Sequence, residues 1–152
     1  MSEPIRFLTT DRVIAIHQRV LDEFGGSAGL RDAGLLDSAV AVPASTFGGE
    51  YLHDSLPAMA AAYLFHICKN HPFVDGNKRA ALASAIQFLY LNGHFLRAAP
   101  ADVEQLTLGV AEGSVSKDTA TGFFKKFVRK APLTQKRSPE SKRRRRRRRK
   151  SD

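Results

Sequence analysis

His71-Pro72-Phe73-Val74-Asp75-Gly76-Asn77-Lys78-Arg79 gathers an imidazole, a carboxylate, a glycine, an amide and two cations, then runs straight into an apolar helical pattern. Leu82, Ile86 and Leu89, with Ala85, Phe88 and Leu91 beside them, recur at helical spacing. The cluster is therefore expected on the loop and first turn entering a helix. Free N–H groups and the positive end of the helix dipole make such a turn an anion site. Gly76 allows backbone to approach a ligand closely, and Lys78 and Arg79 add fixed positive charge. A nucleotide polyphosphate suits these groups. Asp75 is a candidate ligand for the accompanying Mg²⁺, which takes about one or two carboxylates plus phosphate oxygens. His71 offers the side-chain type best suited to take a proton from an attacking hydroxyl.

Plainer readings stand beside these. A histidine before proline is usually an ordinary loop residue, and Asp-Gly is a common turn dipeptide. Lys78 and Arg79 can be a solvated face, although cations at a helix start oppose the dipole and an anion would relieve that conflict. Composition and spacing alone stop at a candidate phosphate site.

The string HPFVDGNKRAAL resembles the signature of the Fic/Doc family, and more closely its Doc (death-on-curing) toxin branch. Fic adenylyltransferases carry a pattern of the form HPFxxGNGRxxR. Here Lys78 stands in place of the second glycine and Leu82 in place of the second arginine, and both departures are shared with Doc-like proteins. The likeness extends through Glu23-Phe24-Gly25-Gly26, Arg31 to Leu36, Pro43 to Phe47 and Phe88 to Gly93, covering roughly residues 5–130.

This resemblance implies a toxin that acts as a protein kinase. It would transfer the γ-phosphate of ATP, with Mg²⁺, to a Ser/Thr hydroxyl of a translation factor (EF-Tu-like) and so arrest translation. His71, Asp75, Lys78 and Arg79 would be catalytic, and Gly76, Asn77, Lys78 and Arg79 would bind the nucleotide, with Asp75 on the metal. A lysine at 78 fills the seat that glycine leaves open for the α- and β-phosphates, so the nucleotide should turn its γ-phosphate to the acceptor. Phe47 to Asp54 falls where the family has a flap that aligns a target segment. Ala80 stands where relatives often have Thr, and Ala83 where the best-known Doc pattern has Asn. The inhibitory [ST]xxxE[GN] helix of some Fic proteins has no good counterpart, since Thr46 to Glu50 contains Gly48-Gly49. Inhibition is then expected from a cognate antitoxin segment folding into a groove. The alternatives are a Fic-type adenylyltransferase, disfavoured by Lys78 and Leu82, and a non-catalytic binding or co-repressor module, disfavoured by the intact motif.

Outward from the motif, 152 residues suit one domain. No apolar run approaches the roughly 20 residues that span a bilayer, and no cationic-then-apolar start resembles a signal peptide. The single cysteine, Cys68, suits a reducing cytoplasm and reads as a small core residue. The net charge of +9 is confined to the tail. Residues 1–132 are balanced, and the excess falls in 133–152, where Lys142 to Lys150 is an unbroken cationic run.

The expected helices follow from caps and breakers. One runs from Thr9 or Thr10 to Phe24, with Val13, Ile16, Val20 and Phe24 on its apolar stripe, and ends at Gly25-Gly26. Asp32 caps a second, which Pro43 closes; Ala44 to Asp54 reads as a loop. Ser55 opens a third, apolar helix to about Lys69, in which His66 reads as a satisfied core histidine. Pro72 pushes His71 out of helical geometry, and Phe73 pins the loop to the core. The motif helix runs from about Gly76 to Leu91 and ends at Asn92-Gly93, and a brief extended piece, His94-Phe95-Leu96, follows. Another spans Pro100 to Glu112, and the last starts at Ser116 and presents Phe123, Phe124, Phe127 and Val128 to the core before Pro132. The expected fold is all-α, a single compact bundle of about six helices over 1–132, followed by a disordered basic tail, 133–152. That tail is read either as an attractor for nucleic acid, the ribosome or an acidic partner, or as a low-complexity extension without a role.

Overall fold

The computed structural model describes residues 3–132. The tail at 133–152, expected to be disordered, lies outside the described residues. Six helices form the bundle: α1 (Thr10–Phe24), α2 (Ala33–Ala41), α3 (Leu56–Asn70), α4 (Asn77–Leu91), α5 (Pro100–Glu112) and α6 (Lys117–Phe127). Local chemistry sets their starts. The side chains of Thr9, Asp32, Ser55 and Ser116 accept the N–H groups of Arg12, Leu35, Ala58 and Thr119, which no turn of helix can satisfy. Gly25 and Gly113 end α1 and α5 at positive φ. Phe24, expected on the apolar stripe of α1, is instead 54% exposed.

Helix α3 is the axis. Met59 to Leu64, Ile67 and Cys68 are all buried, because α4 packs along one side of it, α6 along another and α2 along a third. Helix α4 contributes Ala80, Ala81, Ala85, Phe88 and Leu89, and the small side chains let the two helices approach closely. Tyr63, fully buried, accepts Leu8 N–H on its hydroxyl at 2.9 Å, and burial pushes its pKa up to about 12. Cys68 is a core thiol, pushed up to about 11 by burial, which is unsuited to nucleophilic work.

Four short strands accompany the helices, one of them on the expected extended piece at His94–Leu96. β1 (Thr46–Phe47) and β2 (Glu50–Tyr51) form a hairpin turned by Gly48-Gly49, both at positive φ. β3 (His94–Leu96) pairs antiparallel with β4 (Val128–Lys130). Helix α6 thus ends at Phe127, not near Pro132, and of the expected core residues Phe123, Phe124, Phe127 and Val128 only Phe124 is fully buried. Pro43 sits in a 3₁₀ turn, Val42–Ala44, beyond the end of α2. His66 is not satisfied: its ring stands edge-on to Phe65 and its buried Nε2 has no partner among the described residues. Burial, followed by the charge of Lys117 and of His53, lowers its pKa to about 4.

Candidate active site

The motif occupies the six-residue link between α3 and α4, and neither end of that link is conventional. His71 caps α3 in the left-handed region, φ 49° and ψ 55°, and is the only non-glycine at positive φ among the described residues. Such a conformation costs a side-chain-bearing residue about 1–2 kcal/mol. Pro72 bars the right-handed alternative, so the expectation that it expels His71 from the helix holds in this left-handed form.

Neighbouring segments hold the strained link in place. Arg31 Nε donates to His71 O at 2.7 Å and its Nη2 to Asn70 O at 2.9 Å, closing the carbonyl end of α3 with a cation. Pro72 O accepts the N–H groups of Arg31 and Asp32, and Val74 N–H donates to Gly29 O. Asn70 Nδ2 reaches Leu35 O at 2.9 Å.

Asn77 completes the fixation from the other side. Its Oδ1 accepts Phe73 N–H and its Nδ2 donates to Phe73 O, each at 2.9 Å, and both residues are buried. The Asn77 amide is therefore occupied within the loop, and only the residue's backbone N–H remains for an anion. His17, on the core-facing stripe of α1, lies flat against Phe73 with ring centroids 3.7 Å apart and planes within 4°. Its Nε2 is 2.7 Å from Asp75 O. A carbonyl only accepts, so that nitrogen carries the proton. Gly76, at φ 77°, brings backbone so near that a Cβ there would stand 3.5 Å from His17 Nε2.

Asp75 is exposed, yet its carboxylate is aimed. Oδ2 accepts Ser27 N–H at 3.0 Å and Oδ1 accepts Gly76 N–H at 2.9 Å. Those two bonds, with smaller help from the charges of His17 and Arg79, hold its pKa below the usual carboxylate range. Gly26 makes the approach feasible, since a Cβ on it would lie 2.8 Å from Asp75 Oδ2. A carboxylate has about four lone-pair sites, so half remain open for a cation. Among the described residues no three His, Cys, Asp or Glu side chains converge on one metal position. Asp75 thus fits a hard cation that draws its other ligands from phosphate and water, as Mg²⁺ does, and not an all-protein cage.

Helix α4 begins with no side-chain cap and no acidic residue in its first turn. Its first intrahelical bond is Ala80 N–H to Gly76 O. The N–H groups of Asn77, Lys78 and Arg79 are left pointing out of the helix, beside two exposed cations. Arg79 is positioned by Phe24, with its guanidinium carbon 4.4 Å from the ring centroid.

His71, Asp75, Gly76, Asn77, Lys78 and Arg79 all border one open cleft of about 1310 Å³ between α1, α4 and α5. The structure thus brings together every residue singled out from the motif. What sequence reasoning did not find is the support: His17, Phe24, Arg31 and the pinning role of Asn77. His17 left a trace, one turn from Val13 and next to Ile16 on the buried stripe of α1. Arg31 left none, because its acceptors lie about 40 residues away.

Residues 7–89 match the model of the Fic/DOC family. The chain is 49% identical over 82 residues to a protein named Toxin Doc from Mycolicibacterium smegmatis, an alignment covering 54% of this chain and 62% of that relative's length. It is 32% identical over 112 residues to one named Protein kinase doc from Escherichia phage P1, covering 74% of this chain and 87% of the relative. A family model that matches more than half of the chain, and a 32%-identical relative covered over 87% of its length, show that the chain belongs to the Fic/DOC family.

Proposed function

We propose that this chain is the toxin of a toxin–antitoxin pair and acts as a protein kinase, moving the γ-phosphate of ATP to a Ser/Thr hydroxyl of an EF-Tu-like translation factor. The observation that carries the reading is Lys78, the second residue of α4, exposed on the cleft wall with His71, Asp75 and Arg79. A lysine there crowds the seat in which a glycine would admit the α- and β-phosphates, and it places a cation where phosphoryl charge develops. The relatives' names, Toxin Doc and Protein kinase doc, point the same way.

In this reading His71 takes the proton of the attacking hydroxyl. The free N–H groups of Asn77, Lys78 and Arg79, with the two side-chain cations, neutralise charge on the transferred group. Asp75 would hold Mg²⁺, which when bound neutralises and orients the phosphates. The β1–β2 hairpin, with Phe47 81% exposed, offers an unpaired edge against which an extended target segment can lie. The same cleft continues over Val20, Leu82, Ile86 and Val103, an apolar wall suited to an amphipathic antitoxin segment. The cationic run at Lys142 to Lys150 would add contact with nucleic acid or the ribosome. No helix among the described residues is long and apolar enough to cross a membrane. A cytoplasmic site of action accords with a translation-factor target.

The deciding experiment gives the purified protein, with a translation factor, ATP labelled on either the α- or the γ-phosphate. Transfer of γ-label supports the kinase. Transfer of α-label means AMP transfer and overturns it.

A further inference from the structure

The outer face of the β3–β4 ribbon carries a set of side chains that the cleft does not use. Phe95 and Arg129 oppose each other across the ribbon, and directly opposed residues share a face. The next pair, Leu96 and Val128, packs against the core on the other face. Arg97, two residues beyond Phe95, returns to the outer face, and its N–H extends the ladder to Phe127 O at 2.8 Å. Phe95 is 41% exposed, and Arg97 and Arg129 are exposed.

Arg129, the cation opposite Phe95, is held in place. Arg129 Nη1 donates to Lys126 O and Val128 O at 2.8 and 2.9 Å, so carbonyls at the end of α6 hold the guanidinium while its other donors stay free. Lys126 Nζ lies 5.3 Å from the centroid of the Phe127 ring. Lys125 is turned elsewhere, 3.6 Å from Asp54. No Asp or Glu occurs from Gly93 to Ala101 or from Thr119 to Pro132. A short distance beyond Lys130 the sequence adds Lys136, Arg137 and the run Lys142 to Lys150.

We propose that this outer face, Phe95 with Arg97 and Arg129, is a binding surface for single-stranded RNA. An open aromatic ring among fixed cations gives a base a surface to stack on while the cations take the flanking phosphates. A duplex keeps its base faces inside its own stack, so Phe95 would contribute nothing to it. An acidic polypeptide would occupy the cations and leave the ring unused. The choice of RNA over DNA rests on the proposed translation-factor target, which works beside RNA; the preference for a single strand rests on the ribbon alone.

The test uses the full chain without ATP or target, reading fluorescence anisotropy with labelled oligouridine, oligothymidine and duplex RNA of equal length. The expected result is tightest binding of oligouridine, with log K falling linearly against log salt by about 0.7 per phosphate contacted. Phe95→Ala should weaken oligouridine binding about 5- to 150-fold, the range found on removing a base-stacking aromatic, and leave duplex binding unchanged. Arg97→Ser with Arg129→Ser should make the salt slope shallower by up to about 1.4. That protein decides the question if Phe95→Ala melts below the assay temperature.

Unchanged oligouridine binding in Phe95→Ala, or an unchanged slope in the double variant, would assign all binding to the downstream cations and overturn the proposal. Duplex RNA bound as tightly as oligouridine, oligothymidine preferred to it, or polyglutamate competing on equal terms would do the same. Because no nucleotide is present, a chain that fails to transfer phosphate can still pass this test, and an active kinase can fail it.

Discussion

Replacing Asn77 with Ala removes both bonds that tie the middle of the motif to the start of α4, at a site where neither partner can turn to water. Asn77 is 4% exposed and Phe73 1%. The substitution strands the Phe73 N–H and the Phe73 carbonyl in an apolar setting between His17 and the core. Each unsatisfied buried group costs about 1–3 kcal/mol, so the pair costs roughly 2–6 kcal/mol. Alanine's better helix propensity returns about 0.5 kcal/mol. A net loss of about 1.5–5.5 kcal/mol should lower the Tm of a domain this size by roughly 6–22 °C. Thermal unfolding followed by circular dichroism at neutral pH measures it directly. Asn77→Asp is a useful companion, because it keeps the acceptor for Phe73 N–H but removes the donor to Phe73 O. It should fall between the two proteins. A Tm within 2 °C of the unaltered chain for Asn77→Ala would refute the pinning role and return the amide to the list of free anion donors.

His71→Gly should behave oppositely: transfer falls about 10²–10⁴-fold with loss of the proton acceptor, while relief of the left-handed strain keeps the Tm level or higher; a clear Tm loss would contradict the geometry at φ 49°. Lys78→Gly should cut γ-phosphate transfer about 10²–10³-fold, as measured with labelled ATP, and unchanged transfer would remove the main reason for preferring a kinase. His66 should make the fold sensitive to mild acid. Its pKa is lowered to about 4 from 6.5, so the unfolded chain binds a proton that the folded chain refuses, and stability present above pH 6.5 is lost as pH falls towards 4. Full conversion of that shift is about 3 kcal/mol, and partial exposure reduces it to about 1–2 kcal/mol; denaturant unfolding at pH 7 and 4.5 should show this difference in the unaltered protein and not in His66→Leu.

The helices were legible because their signals are local. Thr9, Asp32, Ser55 and Ser116 stand next to the turns they cap, and Gly25 and Gly113 stand next to the turns they end. His94–Leu96 read as extended, but its pairing and the other strands were illegible for the converse reason. His94 pairs with Lys130 across an intervening pair of helices, and no window of sequence contains both. Val128 to Lys130 follows Phe123, Phe124 and Phe127 at helical spacing, so pattern alone carries α6 too far. The β1–β2 strands are two residues each, too short to alternate, and Gly48-Gly49 was their single mark. His66 illustrates a third limit. Its place on an apolar helix shows that it is enclosed, but whether its Nε2 meets an acceptor depends on α6 and the segment before α3.

At the candidate site the sequence indicated which groups border the cleft and not what keeps them there. Three local preferences are broken within nine residues: a histidine in left-handed backbone, a helix start without a side-chain cap, and two cations in a first turn that favours anions. Each violation needs a restraint, and each restraint comes from elsewhere in the chain. Arg31 holds the carbonyl of His71, the Asn77 amide holds Phe73, and His17 holds the carbonyl of Asp75. Those restraints fix backbone atoms, whose positions no motif specifies, and so leave His71, Lys78 and Arg79 exposed and the Asp75 carboxylate half open. An unstrained link with a serine cap would occupy one of the free N–H groups of α4 itself and narrow the anion seat. The strain in this link is therefore a property that a phosphate-bearing ligand would relieve, and removing the Arg31 or the His17 restraint should weaken ligand binding more than it disturbs the bundle around α3.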